Sequence, residues 1–147
     1  MPDRVRHDEE GFTLVELMVV IVIIGLLATI VAINVLPSGD KARVVRTRAD
    51  ISTIEGALET YKLENGAYPT TSQGLAALIR APAGVAAAGY RPGGYLKGGK
   101  VPSDAWNHPY LYASPGTHGD VDVWSYGADG KEGGTGTDAD IGNWAPQ

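Results

Sequence analysis

Apolar and polar positions divide the chain into three stretches of different character. From Leu17 to Ile33 the only polar side chain is Thr29. Widened to Phe12 and Leu36, the run covers about 25 residues, interrupted by Thr13, Glu16 and Asn34. Roughly 20 apolar residues suffice for a helix to cross a bilayer. The run is apolar on every side, unlike the one-faced pattern of a surface helix. From about Asp40 the pattern changes. Val44, Val45, Ile51, Ile54, Leu58 and Tyr61 recur at helical spacing and form an apolar stripe. Asn65-Gly66 is a helix stop signal. Between the two stretches, Pro37-Ser38-Gly39 predicts a kink or a locally melted turn. At about 1.5 Å per residue, a helix from Phe12 to Asn65 would run roughly 80 Å.

Beyond Gly66 the segments are short. Tyr68-Pro69 reads as extended. Thr71 or Ser72 can cap a short helix from about Gln73 to Ile79. Alternation in HPYLYAS (108–114) and DVDVWSY (120–126) predicts short antiparallel strands. The pattern defines an α+β fold: a long N-terminal α-helix with a transmembrane first half and an amphipathic second half, joined to a small globular part.

Composition sharpens this picture. The apolar content of 44% over 147 residues is ordinary, but a large share sits between Phe12 and Leu36. The remainder is polar and rich in Gly and Pro, so its core is small and needs a staple. There is no cysteine, which excludes disulfides, thiolate metal sites and thiol catalysis. A net charge of -5 argues against nucleic acid as a partner. His7, His108 and His118 stand apart, and no triad, nucleophile elbow or phosphate loop is present. The expectation is a chain without chemistry of its own.

Glu16 is the anomaly of the apolar run. A carboxylate at the centre of a span costs about 2.5–3.5 kcal/mol on insertion scales, and less near an end. A cleavable secretory signal would have an apolar stretch of roughly 7–15 residues and a small-residue cleavage site; this run is longer and lacks one. A plain anchor explains everything except Glu16. No Lys or Arg lies within the run. A cut before Phe12 would create an α-amino group, and two staggered chains could pair one Glu16 with the neighbour's amine.

Gly11-Phe12-Thr13-Leu14-Val15-Glu16 followed by an apolar run resembles the class III signal of type IV pilins and type II secretion pseudopilins. The resemblance implies that prepilin peptidase cuts after Gly11 and methylates Phe12, and that Glu16 guides assembly. It divides the chain into a leader (1–11), a transmembrane and fibre-core helix (12–36) and a periplasmic globular part carrying the second half of the helix (37–147). ETYKLENG, NGAYPTTSQGLAALI and SDAWNHPYLY are similar to the major pseudopilin family of type II secretion, protein G, which usually has Asp-Pro-Trp-Gly where Ala105 and Asn107 depart. Trp106 is expected to pack in the core. The basic residues point the other way: Lys41, Arg43, Arg46 and Arg48 after the span outnumber Arg4 and Arg6 before it. On charge alone the C-terminal part would be cytoplasmic; the resemblance places it outside.

Six of the sixteen residues from Gly127 to Gly142 are Gly, so the segment should be disordered unless something holds it. Ile141 and Trp144 read as anchors of a folded loop. Asp129, Asp138 and Asp140 supply carboxylates and glycines let carbonyls turn inward. Such an oxygen-rich loop suits calcium better than magnesium or zinc; a mobile acidic loop is the alternative. Protein G pseudopilins bind calcium in the corresponding loop. By matching positions the resemblance makes Asp129 and Asp140 ligands, Asp138 or Thr137 a third, and the carbonyls of Tyr126 and Lys131 further donors. The metal would then be the missing staple.

Glu55 and Glu59 lie four apart on the face opposite the stripe. They read either as a solvated face or as a docking surface for a neighbour's cations, with Lys97 and Lys100 in a Gly-rich turn as candidates. The basic set after the span can likewise touch lipid headgroups. The resemblance implies a structural major subunit of a periplasmic pseudopilus anchored in the inner membrane, polymerising with itself. Its further partners would be minor pseudopilins, an assembly platform and the bilayer. The alternatives are a type IV pilus subunit, which commonly closes its C-terminal region with a disulfide, and a simple bitopic tether or receptor.

Overall fold

The computed structural model describes residues 11–86 and 88–144, with the side chains of residues 34–37 also outside the description. The expected leader therefore lies, apart from Gly11, outside the described residues. The chain divides into two compact units, Met1–Ser38 and Gly39–Gln147.

Helix α1 spans Leu14–Asn65 without a break. The locally melted turn expected around Pro37–Gly39 is not formed. A proline removes one backbone bond, and the turns on either side are long enough to carry the helix past that loss. In the first unit the helix opens on a reciprocal capping box. Glu16 N donates to Thr13 Oγ1 at 3.2 Å, and Thr13 N donates to Glu16 Oε2 at 2.9 Å. Thr29, the only polar side chain from Leu17 to Ile33, donates to the Gly25 carbonyl at 2.8 Å, so it exposes no unpaired hydroxyl proton. The apolar side chains are uncovered, from Phe12 at 85% exposed to Ile33 at 66%.

In the second unit one face of α1 meets the core. Ile51, Ile54, Ala57, Leu58 and Tyr61 are buried with Leu75, Ala77, Leu78, Leu96, Tyr110, Val121, Val123 and Ile141. The stripe differs from the expected one at two positions. Val45 is 65% exposed, and Thr47 is buried in its place. Positions 44, 47, 51, 54, 58 and 61 alternate steps of three and four, which keeps them on one face; Val45 falls one position off. Thr47 is tolerated there because its Oγ1 accepts Ala105 N at 3.3 Å. The helix ends where the stop signal stands, with Gly66 at φ 86° and its N–H on the Lys62 carbonyl at 2.8 Å.

The short helix expected over Gln73–Ile79 is a 3-10 helix over Leu75–Leu78. Its cap is neither Thr71 nor Ser72. Gln73 N instead donates to Thr70 Oγ1 at 3.2 Å, while Thr70 N donates to Gln73 Oε1 at 2.9 Å. Thr71 Oγ1 is drawn away to Ser114, accepting from its N–H at 2.9 Å. Gly74, at φ 64° and ψ -169°, breaks the turn before an α-helix can propagate.

Strands β1 (Leu111–Ala113), β2 (Asp122–Ser125) and β3 (Ile141–Gly142) form one antiparallel sheet in the order β1-β2-β3. Leu111 faces Trp124 and Tyr112 faces Val123 across the first pair; Trp124 faces Gly142 across the second. Both expected strands are present but shorter than their alternating runs. Trp106 packs against the core as expected. Asn107 takes φ 65°, the left-handed conformation that Gly favours and Asn tolerates, so the departure from Gly leaves this backbone geometry accessible.

Candidate functional site: the helix start and the glycine-rich loop

Phe12 and Thr13 immediately precede α1, and Glu16 lies in its first turn, bonded to Thr13. Glu16 is not a bare carboxylate in the single chain, because Thr13 N–H already occupies its Oε2. The spacing Thr-x-x-Glu could have shown this. A helix N-terminus also favours a negative group by about 0.3–1 kcal/mol.

The loop between β2 and β3 is held shut at its base. Ala128 N donates to the Thr137 carbonyl at 2.8 Å. Gly127 sits at φ 75°, and a Cβ on it would lie 2.7 Å from Thr137 O and 2.8 Å from Ala139 O. Ile141 is buried, as an anchor should be. Trp144 is 37% exposed and stacks on His118, with ring centroids 3.9 Å apart. His118 Nδ1 lies 2.9 Å from Asp122 Oδ2. Burial alone would push the Asp122 carboxyl up, but the hydrogen bonds from His118 and Thr117 outweigh it and hold the group below the usual carboxylate range.

Among the described residues no three His, Asp or Glu side chains converge tightly enough to hold a metal by themselves. Asp129 Oδ1 accepts Lys131 N at 3.1 Å, and Asp140 accepts Gly133 N at 3.0 Å through Oδ2. Both carboxylates are thus turned toward the same short limb, 131–133. The loop donors are all oxygens: Asp129, Asp138, Asp140, Thr137 and nearby carbonyls. That is the set a hard cation takes, with carbonyls rather than a third clustered carboxylate completing it. The residues therefore fit calcium in chemical kind.

Glu55 and Glu59 line one cleft with Tyr68, His118, Asp120 and Trp144. Glu55 is half-buried rather than fully on the outer face, and its Oε1 accepts Asn143 Nδ2 at 3.3 Å. Glu59 accepts the Tyr68 hydroxyl, and this bond, ahead of burial and neighbouring charge, pushes the Tyr68 phenol up to about 12. Lys97 and Lys100 are exposed around the 3-10 turn Lys97–Gly99. The structure does not bring these lysines together with Glu55 or Glu59 within one chain.

One helix among the described residues is long and apolar enough to cross a membrane, and it precedes a small α+β head; this is the build of a pilin-like subunit. The type II secretion system protein G model matches residues 34–144, and the prokaryotic N-terminal methylation motif matches residues 6–32. The type II secretion system core protein G of Pseudomonas aeruginosa is 51% identical over 140 residues, covering 95% of this chain and 97% of that protein. The core protein G of Vibrio cholerae is 51% identical over 136 residues, covering 92% of each. The crystal structure of the major pseudopilin from the type 2 secretion system of enterohaemorrhagic Escherichia coli superposes with a TM-score of 0.63 at 38% identity, covering 76% of this chain and 94% of that one. The chain belongs to the type II secretion system protein G family and is a structural pseudopilin.

Proposed function

We propose that the chain is the major subunit of a periplasmic pseudopilus that drives export of folded proteins across the outer membrane. The carrying observation is the first half of α1, apolar on every side and exposed along its described residues. Such a surface needs lipid before assembly and other copies of itself afterwards. The leader ends at Gly11, prepilin peptidase frees and methylates Phe12, and the inner membrane holds the helix with the C-terminal part in the periplasm. Glu16 then exchanges its own Thr13 amide for the neighbour's Phe12 amine. Minor pseudopilins and an inner-membrane assembly platform complete the partners, with Glu55 and Glu59 offered to a neighbour's Lys97.

Calcium is the cofactor we assign to the loop, held by Asp129 and Asp140, by Asp138 or Thr137, and by the carbonyls of Tyr126 and Lys131. Bound there it cross-links the two limbs of the loop and adds its binding free energy to the fold.

The test is the mass of the N-terminal peptide of the mature protein, together with electron microscopy of sheared fibres. A methylated Phe12 start and fibres lost in Glu16→Ala are expected. An uncut N-terminus, or fibres formed as abundantly by Glu16→Ala, would overturn the assembly reading.

A further inference from the structure

Asp104, in the SDAWNHPYLY stretch, is a buried carboxylate. Burying a charge is costly unless it is hydrogen-bonded throughout. Its Oδ1 accepts His108 N at 2.8 Å and Trp106 N at 3.0 Å. Those two bonds close the 104–108 turn. Its Oδ2 reaches another part of the chain, accepting Ser125 Oγ at 2.6 Å, within the range of a charge-assisted bond. Ser125 Oγ, fully buried, in turn accepts Gly127 N at 3.0 Å. His108 Nδ1 lies 3.2 Å from the Gly127 carbonyl, which can only accept, so this contact requires the proton on Nδ1. The same ring covers Gly130: a Cβ there would lie 3.3 Å from His108 Cε1. The 104–108 turn therefore grips the loop backbone at Gly127 and Gly130, on either side of Asp129.

Resting on the calcium reading above, we propose that Asp104, acting through Ser125 and aided by His108, is a positioning residue for the metal loop. It fixes the backbone of 126–130 before any cation arrives. The Tyr126 carbonyl and the Asp129 carboxylate are then presented at low conformational cost. A loop holding several glycines would otherwise lose much of its binding free energy to ordering. Groups that orient ligands without touching the metal commonly change affinity by 10–100-fold.

The experiment uses the full chain in detergent micelles, with Ser125→Ala and Asp104→Asn beside wild type. Two quantities are read: the calcium dissociation constant by calorimetry with calcium chloride, and amide hydrogen exchange with the metal chelated. Ser125→Ala keeps the two Oδ1 bonds that close the turn around Asp104 and removes both halves of the link to the loop, the donor to Asp104 Oδ2 and the acceptor for Gly127 N. It should weaken calcium binding about 10-fold and speed exchange at residues 127–133, while the amides of Ile54 and Leu58 exchange as in wild type. Asp104→Asn should do the same and loosen the 104–108 turn as well. Unchanged affinity and unchanged loop exchange in Ser125→Ala overturn the proposal. So does exchange accelerated equally in loop and helix, which marks a merely structural defect. If wild type binds no calcium, the metal reading fails by itself; the exchange data on the chelated protein then decide whether Asp104 and Ser125 hold the loop.

Discussion

Replacing Gly127 by Ala and, separately, Gly133 by Ala isolates the close approach at the loop base. Both glycines have positive φ, 75° and 83°. Each substitution therefore forces a Cβ into the left-handed region, at about 1–2 kcal/mol, partly offset by about 0.4–1 kcal/mol from stiffening the unfolded chain. The surroundings separate them. At Gly133 nothing lies within 4 Å of the added carbon, whereas at Gly127 it would meet Thr137 O at 2.7 Å, Ala139 O at 2.8 Å and Asp138 C at 2.9 Å. These neighbours are backbone atoms and cannot swing aside as a side chain can. Overpacking of this kind adds about 1–3 kcal/mol. Gly133→Ala should thus cost about 1 kcal/mol and Gly127→Ala about 2–4 kcal/mol. In a domain of this size each kcal/mol moves Tm by about 4–8 °C. The assay is thermal unfolding of the full chain in detergent micelles, with and without chelator. In chelator Gly127→Ala should melt at least about 4 °C below Gly133→Ala. Equal melting temperatures would refute the packed loop base, since only the surroundings distinguish the two sites.

Three other outcomes are expected. Leu58→Ala empties a fully buried site in the core and should cost about 2–5 kcal/mol; a denaturant midpoint unchanged from wild type would contradict the core assignment. The lowered carboxyl of Asp122 contributes stability that is present above the unfolded carboxylate value of about 3.9 and is lost as pH falls through the lower folded value. The Tm advantage of wild type over Asp122→Asn should therefore shrink as pH falls below about 4; a constant gap would show that the hydrogen bonds do not favour the charged form. Tyr68, pushed up to about 12 by its bond to Glu59, holds stability that is fully present below about pH 10 and is lost as pH rises through the folded value. Glu59→Gln should bring its tyrosinate absorbance step back toward about 10, with Tyr68→Phe identifying that step.

How much of this was legible beforehand follows from where each interaction stores its information. The end of α1 was readable because Asn65-Gly66 is a local signal and the stripe repeats over several turns. Thr47 was not, because a polar residue on an apolar face is explained only by its distant partner, Ala105 N. The two long strands left alternating runs, whereas β3 has only Ile141 and Gly142, too few for a period of two to register. The Asp129 and Asp140 carboxylates were visible as residue types, but their turn onto Lys131 N and Gly133 N depends on loop shape. Asp104 was passed over for the same reason. Its donors come from residues 106, 108 and 125; the SDAWNHPYLY stretch marked its place, but its bond to Ser125 links positions 21 apart.

The capping box changes the energetics of assembly under the proposed function. A lone carboxylate in lipid would drive pairing with any available cation. Here Thr13 N–H has already offset part of that cost, so a neighbour's Phe12 amine must displace or share an existing bond. The existing bond is already charge-assisted on the acceptor side; a protonated amine adds the attraction of a full opposite charge that an amide N–H lacks, so the exchange is favourable yet smaller than the rescue of a bare charge. Subunits can therefore persist singly in the membrane and still gain on joining the fibre. It also means that Thr13 and Glu16 act together. Thr13→Ala removes the Oγ1 acceptor for Glu16 N but leaves the Thr13 position's own N–H in place, so it weakens the helix start without freeing the carboxylate. Fibre yield should then fall far less in Thr13→Ala than in Glu16→Ala; equal loss in the two would show that the helix cap, rather than the pairing of charge with amine, is what assembly requires.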